Sequence, residues 1–152
     1  MKKYLSVLHD YEDSTFFEPG VAKKPSFELQ RKAIDVLLQK RNALQIQEFN
    51  TTKHRYLSVQ DFNFPTNQVS GVVFFSAESL RDKNKQINLE LFSSLYKKFS
   101  EIFIIVESIS IDNMRDFSSF YKRFIGLNYC AQRDASKEWR ELVIEITNEN
   151  TR

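Results

Sequence analysis

Apolar residues fall along this chain in blocks of two different periods. Residues 72–75 (VVFF) and 102–106 (IFIIV) are apolar on consecutive positions, the mark of strands covered on both faces. Between them, from about Asn84 to Phe99, Ile87, Leu91 and Leu95 recur at helical spacing, with Phe92, Tyr96 and Phe99 beside them. A second helix is expected from a cap at Asp112 through Met114, Phe117, Tyr121 and Phe124 to a stop at Gly126. Residues 127–131 (LNYCA) then read as a further strand. Strand, helix, strand, helix, strand between Val69 and Gln132 predicts an α/β domain, with a parallel or mostly parallel sheet flanked by helices on both faces.

The first half fits the same plan. Residues 4–8 (YLSVL) form a first strand, and residues 11–25, holding Pro19, Gly20 and Pro25, form a long polar loop expected to be mobile. Ser26 caps a helix (FELQRKAIDVLLQKRN) whose stripe is Leu29, Ala33, Val36 and Leu37, widened by Ile34 and Leu38. Residues 44–49 alternate as a half-buried strand does, and residues 56–62 give a second alternating stretch, an edge strand or hairpin arm. A last helix starts at Asp134 or Ser136 and carries Trp139, Leu142, Val143 and Ile146. The expectation is one domain over residues 1–148 with a frayed tail at 149–152.

Composition changes little in this picture. The charges, 22 Lys+Arg against 20 Asp+Glu, leave +2, so any nucleic-acid surface has to come from local clustering. Fourteen Phe and six Tyr point to a dense core, or to a core plus an apolar interface. A single cysteine, Cys130, excludes an internal disulfide and fits a reducing compartment. With no His near it in sequence, it reads as a small buried apolar residue rather than a nucleophile. The apolar runs are strand-sized, too short for a membrane span or a signal peptide, so a soluble intracellular protein is expected.

Ligands of parallel sheets sit past the carboxyl ends of the strands. Those ends offer Ser76, Glu78, Ser108 and Arg133, which match no reaction template. A phosphate loop fails because the only glycine between the first strand and the first helix, Gly20, is far from that strand. Asp10, Glu12 and Asp13 resemble the magnesium-binding acids of a response-regulator receiver. The positions of the receiver's aspartate and lysine, however, hold Ser76 and Gln132-Arg133. A divalent-metal or enzymatic domain built on that acidic loop stays as the alternative reading. Glu107 ends a strand without a Glu-Arg-Lys run, and Asp61 and Glu78 have no partner motif. His9 and His54 are too isolated for zinc, and no glycine-flanked serine elbow occurs. No catalytic residue, metal or cofactor is therefore assigned. Basic residues that could neutralise DNA phosphates are Arg31, Lys32, Lys40, Arg41, Lys53, Arg55, Lys122 and Arg123.

Ser70-Gly71-Val72 opening a buried strand, FIIVES, and Arg123-Phe124-Ile125-Gly126 running into Leu127-Asn128-Tyr129 resemble the small subunit of XPF-type heterodimers. Within that family the likeness is to the meiotic, ZMM-group partner. It covers residues 4–146 in element order and 69–129 in residues. The resemblance implies a nuclease-like domain that has lost its active site. It also implies an obligate XPF-like protein partner, branched DNA bound by the pair, crossover promotion on meiotic chromosomes in the nucleus, and no membrane. Carried over by position, the interface involves the helix 112–125, the strand 127–131 and the helix from Ser136. Its candidate anchors are Phe117, Phe120, Tyr121, Phe124, Tyr129 and Trp139, although helical periodicity alone places half of them in the core. The family usually adds a tandem helix-hairpin-helix module, for which the 152 residues leave no room.

Overall fold

The computed structural model describes residues 1–11, 25–51, 55–65 and 67–132, with the backbone alone over 130–132. The elements are β1 (Lys2–His9), α1 (Phe27–Lys40), β2 (Ala43–Thr51), β3 (Gly71–Phe74), α2 (Leu89–Phe99), β4 (Ile102–Ile104), β5 (Ile109–Ile111) and α3 (Met114–Gln132). The five strands form one sheet in the order β2-β1-β3-β4-β5. Every neighbouring pair is parallel except β4 and β5, which form an antiparallel hairpin. The α/β class, the mostly parallel sheet and the helices on both faces all agree with the hydrophobic pattern.

Side-chain alternation divides the core into two layers. Leu5, Val7, Val72, Phe74, Ile102 and Ile104 face α2 and α3. Tyr4, Leu8, Val73, Phe75 and Phe103 face α1 through Ile34 and Leu38. The consecutive apolar run at β3 therefore serves both layers. Gly71 opens that strand because a Cβ there would collide with the Glu101 carbonyl and Cβ at the start of β4. In β2 the register slips by one residue opposite Tyr4 and Leu5, leaving Ile46 as the extra residue.

Several local expectations are corrected. The stripe of α1 is rotated: Gln30, Ile34 and Leu38 are buried, whereas Leu29 and Val36 are 55% and 51% exposed. Ser26 does cap this helix, its hydroxyl accepting from the Leu29 N–H at 3.2 Å. Residues 56–62 hold a 3-10 turn (Val59–Phe62), not a strand. Beyond β4 the chain turns at 105–108 and returns as β5, so Glu107 lies in a turn, and Ser108 occupies it at φ 54°. Asn113 rather than Asp112 caps α3, accepting from the Asp116 N–H at 2.9 Å.

The largest correction concerns residues 127–131. They are helical, because α3 passes through Gly126 without a break. A lone glycine costs a helix interior only about 1 kcal/mol, and docking of the flanking turns outweighs it. Nearly all of the expected mobile loop, together with Arg133, Trp139 and the last helix, lies outside the described residues. At the loop's edges, Tyr11 is buried and the Pro25 carbonyl is hydrogen-bonded. No helix among the described residues is long and apolar enough to cross a membrane.

Candidate functional site

The connection from β1 crosses one face of the sheet through α1 to β2, while that from β3 crosses the other face through α2 to β4. The carboxyl ends of β1 and β3 thus flank a switch in winding direction, where sheets of this kind leave a crevice. Apart from Ser6, every buried polar side chain among the described residues is gathered there: His9, Gln30, Thr51, Ser76 and Ser79.

Register builds the first group. His9 ends β1 opposite Thr51 at the end of β2. Thr51 Oγ1 lies 2.8 Å from His9 Nδ1 and 2.8 Å from Ser79 Oγ, and it donates to the Leu8 carbonyl at 3.2 Å. A hydroxyl has one proton to give, so with that proton on Leu8 O, Thr51 accepts from both neighbours. This assigns the Nδ1–H form to His9 and leaves Nε2 with the lone pair when the ring is neutral. Burial holds the imidazole below its ordinary value; Asp10 opposes this and Arg81 reinforces it. Behind the strand, Gln30 grips the His9 backbone on both sides, accepting from N–H at 2.9 Å and donating to C=O at 2.7 Å.

The second group surrounds Ser76. Its hydroxyl donates to Glu107 Oε1 at 3.2 Å and accepts from the Glu78 N–H at 3.1 Å, while Glu107 Oε2 accepts from the Ala77 N–H at 3.0 Å. Tyr11 sits edge-on to His9, with ring centroids 4.9 Å apart. Burial pushes its phenol up to about 12, partly offset by a hydrogen bond with Ser76 and increased by Glu107 and Glu78. Burial also raises Glu78, against the pull of Arg81, whose Nε donates to it at 3.0 Å. Chemically, the Ser76 proton is directed at a carboxylate and not at His9, and His9 donates to Thr51 instead of taking its proton. The arrangement ties strand ends together and holds one imidazole lone pair at the switch.

Among the described residues no group of three His, Cys, Asp or Glu is placed to hold a metal. Of the acidic loop only Asp10 is described; Glu12 and Asp13 lie outside the described residues. Sequence reading missed the His9–Thr51–Ser79 group because it depends on the pairing register of β1 and β2. The one available signal was His9 at the end of a strand.

The structure also places the interface and DNA candidates. Phe117, Phe120 and Tyr121 are half-buried against the core, Phe124 is buried and Tyr129 is 43% exposed. Phe117 stacks between Phe92 (5.2 Å) and Tyr96 (4.3 Å). Met114 and Ile125, 67% and 45% exposed, join Tyr129 on one flank of α3, at intervals of eleven and four residues. Tyr129 joins that flank only because the helix continues past Gly126.

On α1, Arg31 forms a two-pronged pair with Glu48 (2.9 and 2.9 Å), and Lys32 pairs with Glu28 at 3.4 Å. Arg41, just past α1, lies 3.9 Å over the Phe103 ring. Lys40 and Arg55 are exposed, and Lys53 is outside the described residues. Lys122 and Arg123 are on α3, across the sheet from α1, so the two basic groups do not share a face. The chain matches no protein-family model, no curated protein and no solved structure.

Proposed function

We propose that this chain is the small, non-catalytic subunit of an XPF-like heterodimer that binds branched DNA and promotes meiotic crossovers. The observation that carries the reading is the exposed flank of α3, where Met114 and Ile125 stand in solvent beside the half-buried Phe117 and Tyr121. A helix with apolar side chains on more than its core stripe has surface to bury against a second body. Aromatic side chains of this kind dominate protein interfaces. The resemblance of residues 69–129 to XPF-type small subunits supplies the identity of that body. In this reading the chain contributes shape and phosphate contacts rather than chemistry.

The test is co-expression with an XPF-like meiotic partner, followed by light scattering on a sizing column. A 1:1 complex that dissociates on Ile125→Glu, with the thermal midpoint of the isolated chain unchanged, is the expected result. A monodisperse chain that ignores the partner removes the proposal.

A second reading is favoured by the buried polar cluster at the carboxyl ends of β1 and β3: a small polar ligand or divalent ion bound beside His9 and Asp10. Titration with magnesium, followed through the His9 ring resonances by NMR, decides it. Saturable shifts revive this reading, and flat traces end it.

A further inference from the structure

We infer that the outer ridge of α3, running through Arg115, Ser119, Lys122 and Gly126, is the chain's own contact with the sugar-phosphate backbone of DNA. The inference rests on the partner-subunit reading and names the surface that reading leaves open. Residues 115, 119, 122 and 126 follow one another at helical spacing on the side away from the core residues Phe117, Phe120 and Phe124. The ridge is about 16 Å long at 1.5 Å per residue. Phosphates advance by about 3.4 Å of axis on each strand, so several come within its reach.

Three observations mark this ridge out from the paired cations Arg31 and Lys32 of α1. First, its charge is uncompensated among the described residues. From Phe117 to Gln132 the helix has no acidic residue, and among the described residues neither Arg115 nor Lys122 forms an ion pair. The cations of α1, in contrast, are largely spent within the fold, Arg31 on Glu48 and Lys32 on Glu28. Second, Asp116, the acid nearest to Arg115 along the helix axis, is held in the cap by the Asn113 amide at 2.8 Å.

Third, nothing among the described residues requires a glycine at position 126. It lies within a helix, where alanine is the better residue, and a Cβ added there meets nothing within 4 Å. It leaves an open notch one turn beyond Lys122, which lets another molecule's backbone approach the helix closely. Serine hydroxyls, cations and a bare backbone are the groups with which proteins grip phosphates. The ridge adjoins the Ile125–Tyr129 flank, so DNA lying along it would run beside the proposed partner.

The experiment is an anisotropy titration of a fluorescently labelled four-way DNA junction with the full chain in complex with its XPF-like partner, at several salt concentrations. Arg115→Glu and Lys122→Glu are expected to weaken binding several-fold each and to reduce the salt slope by about 1 per cation removed. Lys40→Glu on α1 is expected to change neither. Gly126→Leu is expected to weaken junction binding while the thermal midpoint holds or rises, which a merely structural glycine would not do. Equal effects from Lys40 and Lys122, or unchanged affinity in all three ridge variants, overturn the inference. Loss of the partner instead of the DNA in those variants also overturns it, and assigns the ridge to a protein contact. If the wild-type complex forms but ignores the junction, the ridge inference falls while the partner interface stands. If no complex forms, the underlying reading fails first.

Discussion

The two helical layers of this domain are fastened by the same device and finished in opposite ways. On one face, Gln30 of α1 holds both the N–H and the C=O of His9. On the other, Asn128 of α3 does the same to Ile87, accepting from N–H at 2.7 Å and donating to C=O at 2.6 Å. Each amide acts as a one-residue substitute for a neighbouring strand. The layers then diverge. Around α1, Arg31 and Lys32 are matched by Glu48 and Glu28 and Arg41 is laid over Phe103, so most of that surface's cations are satisfied within the fold. Along α3, Arg123 lies over Phe120, but among the described residues Arg115 and Lys122 form no ion pair, and Met114 and Ile125 are exposed. Among the described residues, the same architecture thus yields one face whose cations are mostly paired and one on which Arg115 and Lys122 are not.

The sharpest way to break the comparison is to loosen the α3 layer. Phe92 is fully buried, stacked on Phe117 and edge-on to Phe124 at 4.9 Å. Phe92→Ala is expected to cost about 3–5 kcal/mol by urea unfolding, and a loss below about 1 kcal/mol would mean that α3 is not docked as described.

The two amide clasps come next. Gln30→Leu and Asn128→Leu each strand backbone groups, at about 1–3 kcal/mol. Gln30 is expected to be the costlier, being fully buried with a third bond to Pro25. A larger loss at Asn128 would reverse the ranking of the two faces.

Gly126→Ala works in the other direction. With open space for the methyl group, it is expected to raise stability by up to about 1 kcal/mol, and a fall would reveal a contact that the fold requires there.

The smallest effect is a pH slope. Folded His9 titrates below its unfolded value near 6.5 because it is buried. The unfolded chain therefore binds more protons, and stability declines as pH drops below about 6.5, levelling off once the folded ring is also charged. Glu78, raised by burial, has the opposite sign: its contribution is full below 4.5 and is lost as pH rises through its folded value. The contribution of His9 is thus read as the difference between wild type and His9→Gln. Parallel pH curves for the two proteins would show that His9 contributes nothing.

Much of the scaffold was legible in the pattern of residues. Two consecutive apolar runs gave the buried strands β3 and β4, helical spacing gave α2, and Ser26 marked the start of α1. The errors share a cause. Residues 127–131 have strand-like composition, and Gly126 looks like a terminator, yet local preference yields to the docking of α3 through Phe124 and Asn128. Likewise Gln30, polar by type, took the buried position and Leu29 the exposed one, because the unpaired backbone of His9 needed a partner.

What the sequence determined by itself is the α/β class and the central strands, since a strand buried on both faces must be apolar at every position. The charge total and the absence of a glycine-rich phosphate loop are likewise properties of composition and spacing. Only the tertiary structure decided that β5 doubles back on β4 and that His9, Thr51 and Ser79 meet. It alone placed the cations of α1 and α3 on opposite faces of the sheet. The polar group depends on strand order and register, which bring together residues 42 and 28 positions apart, and no local pattern encodes which distant segment will lie alongside.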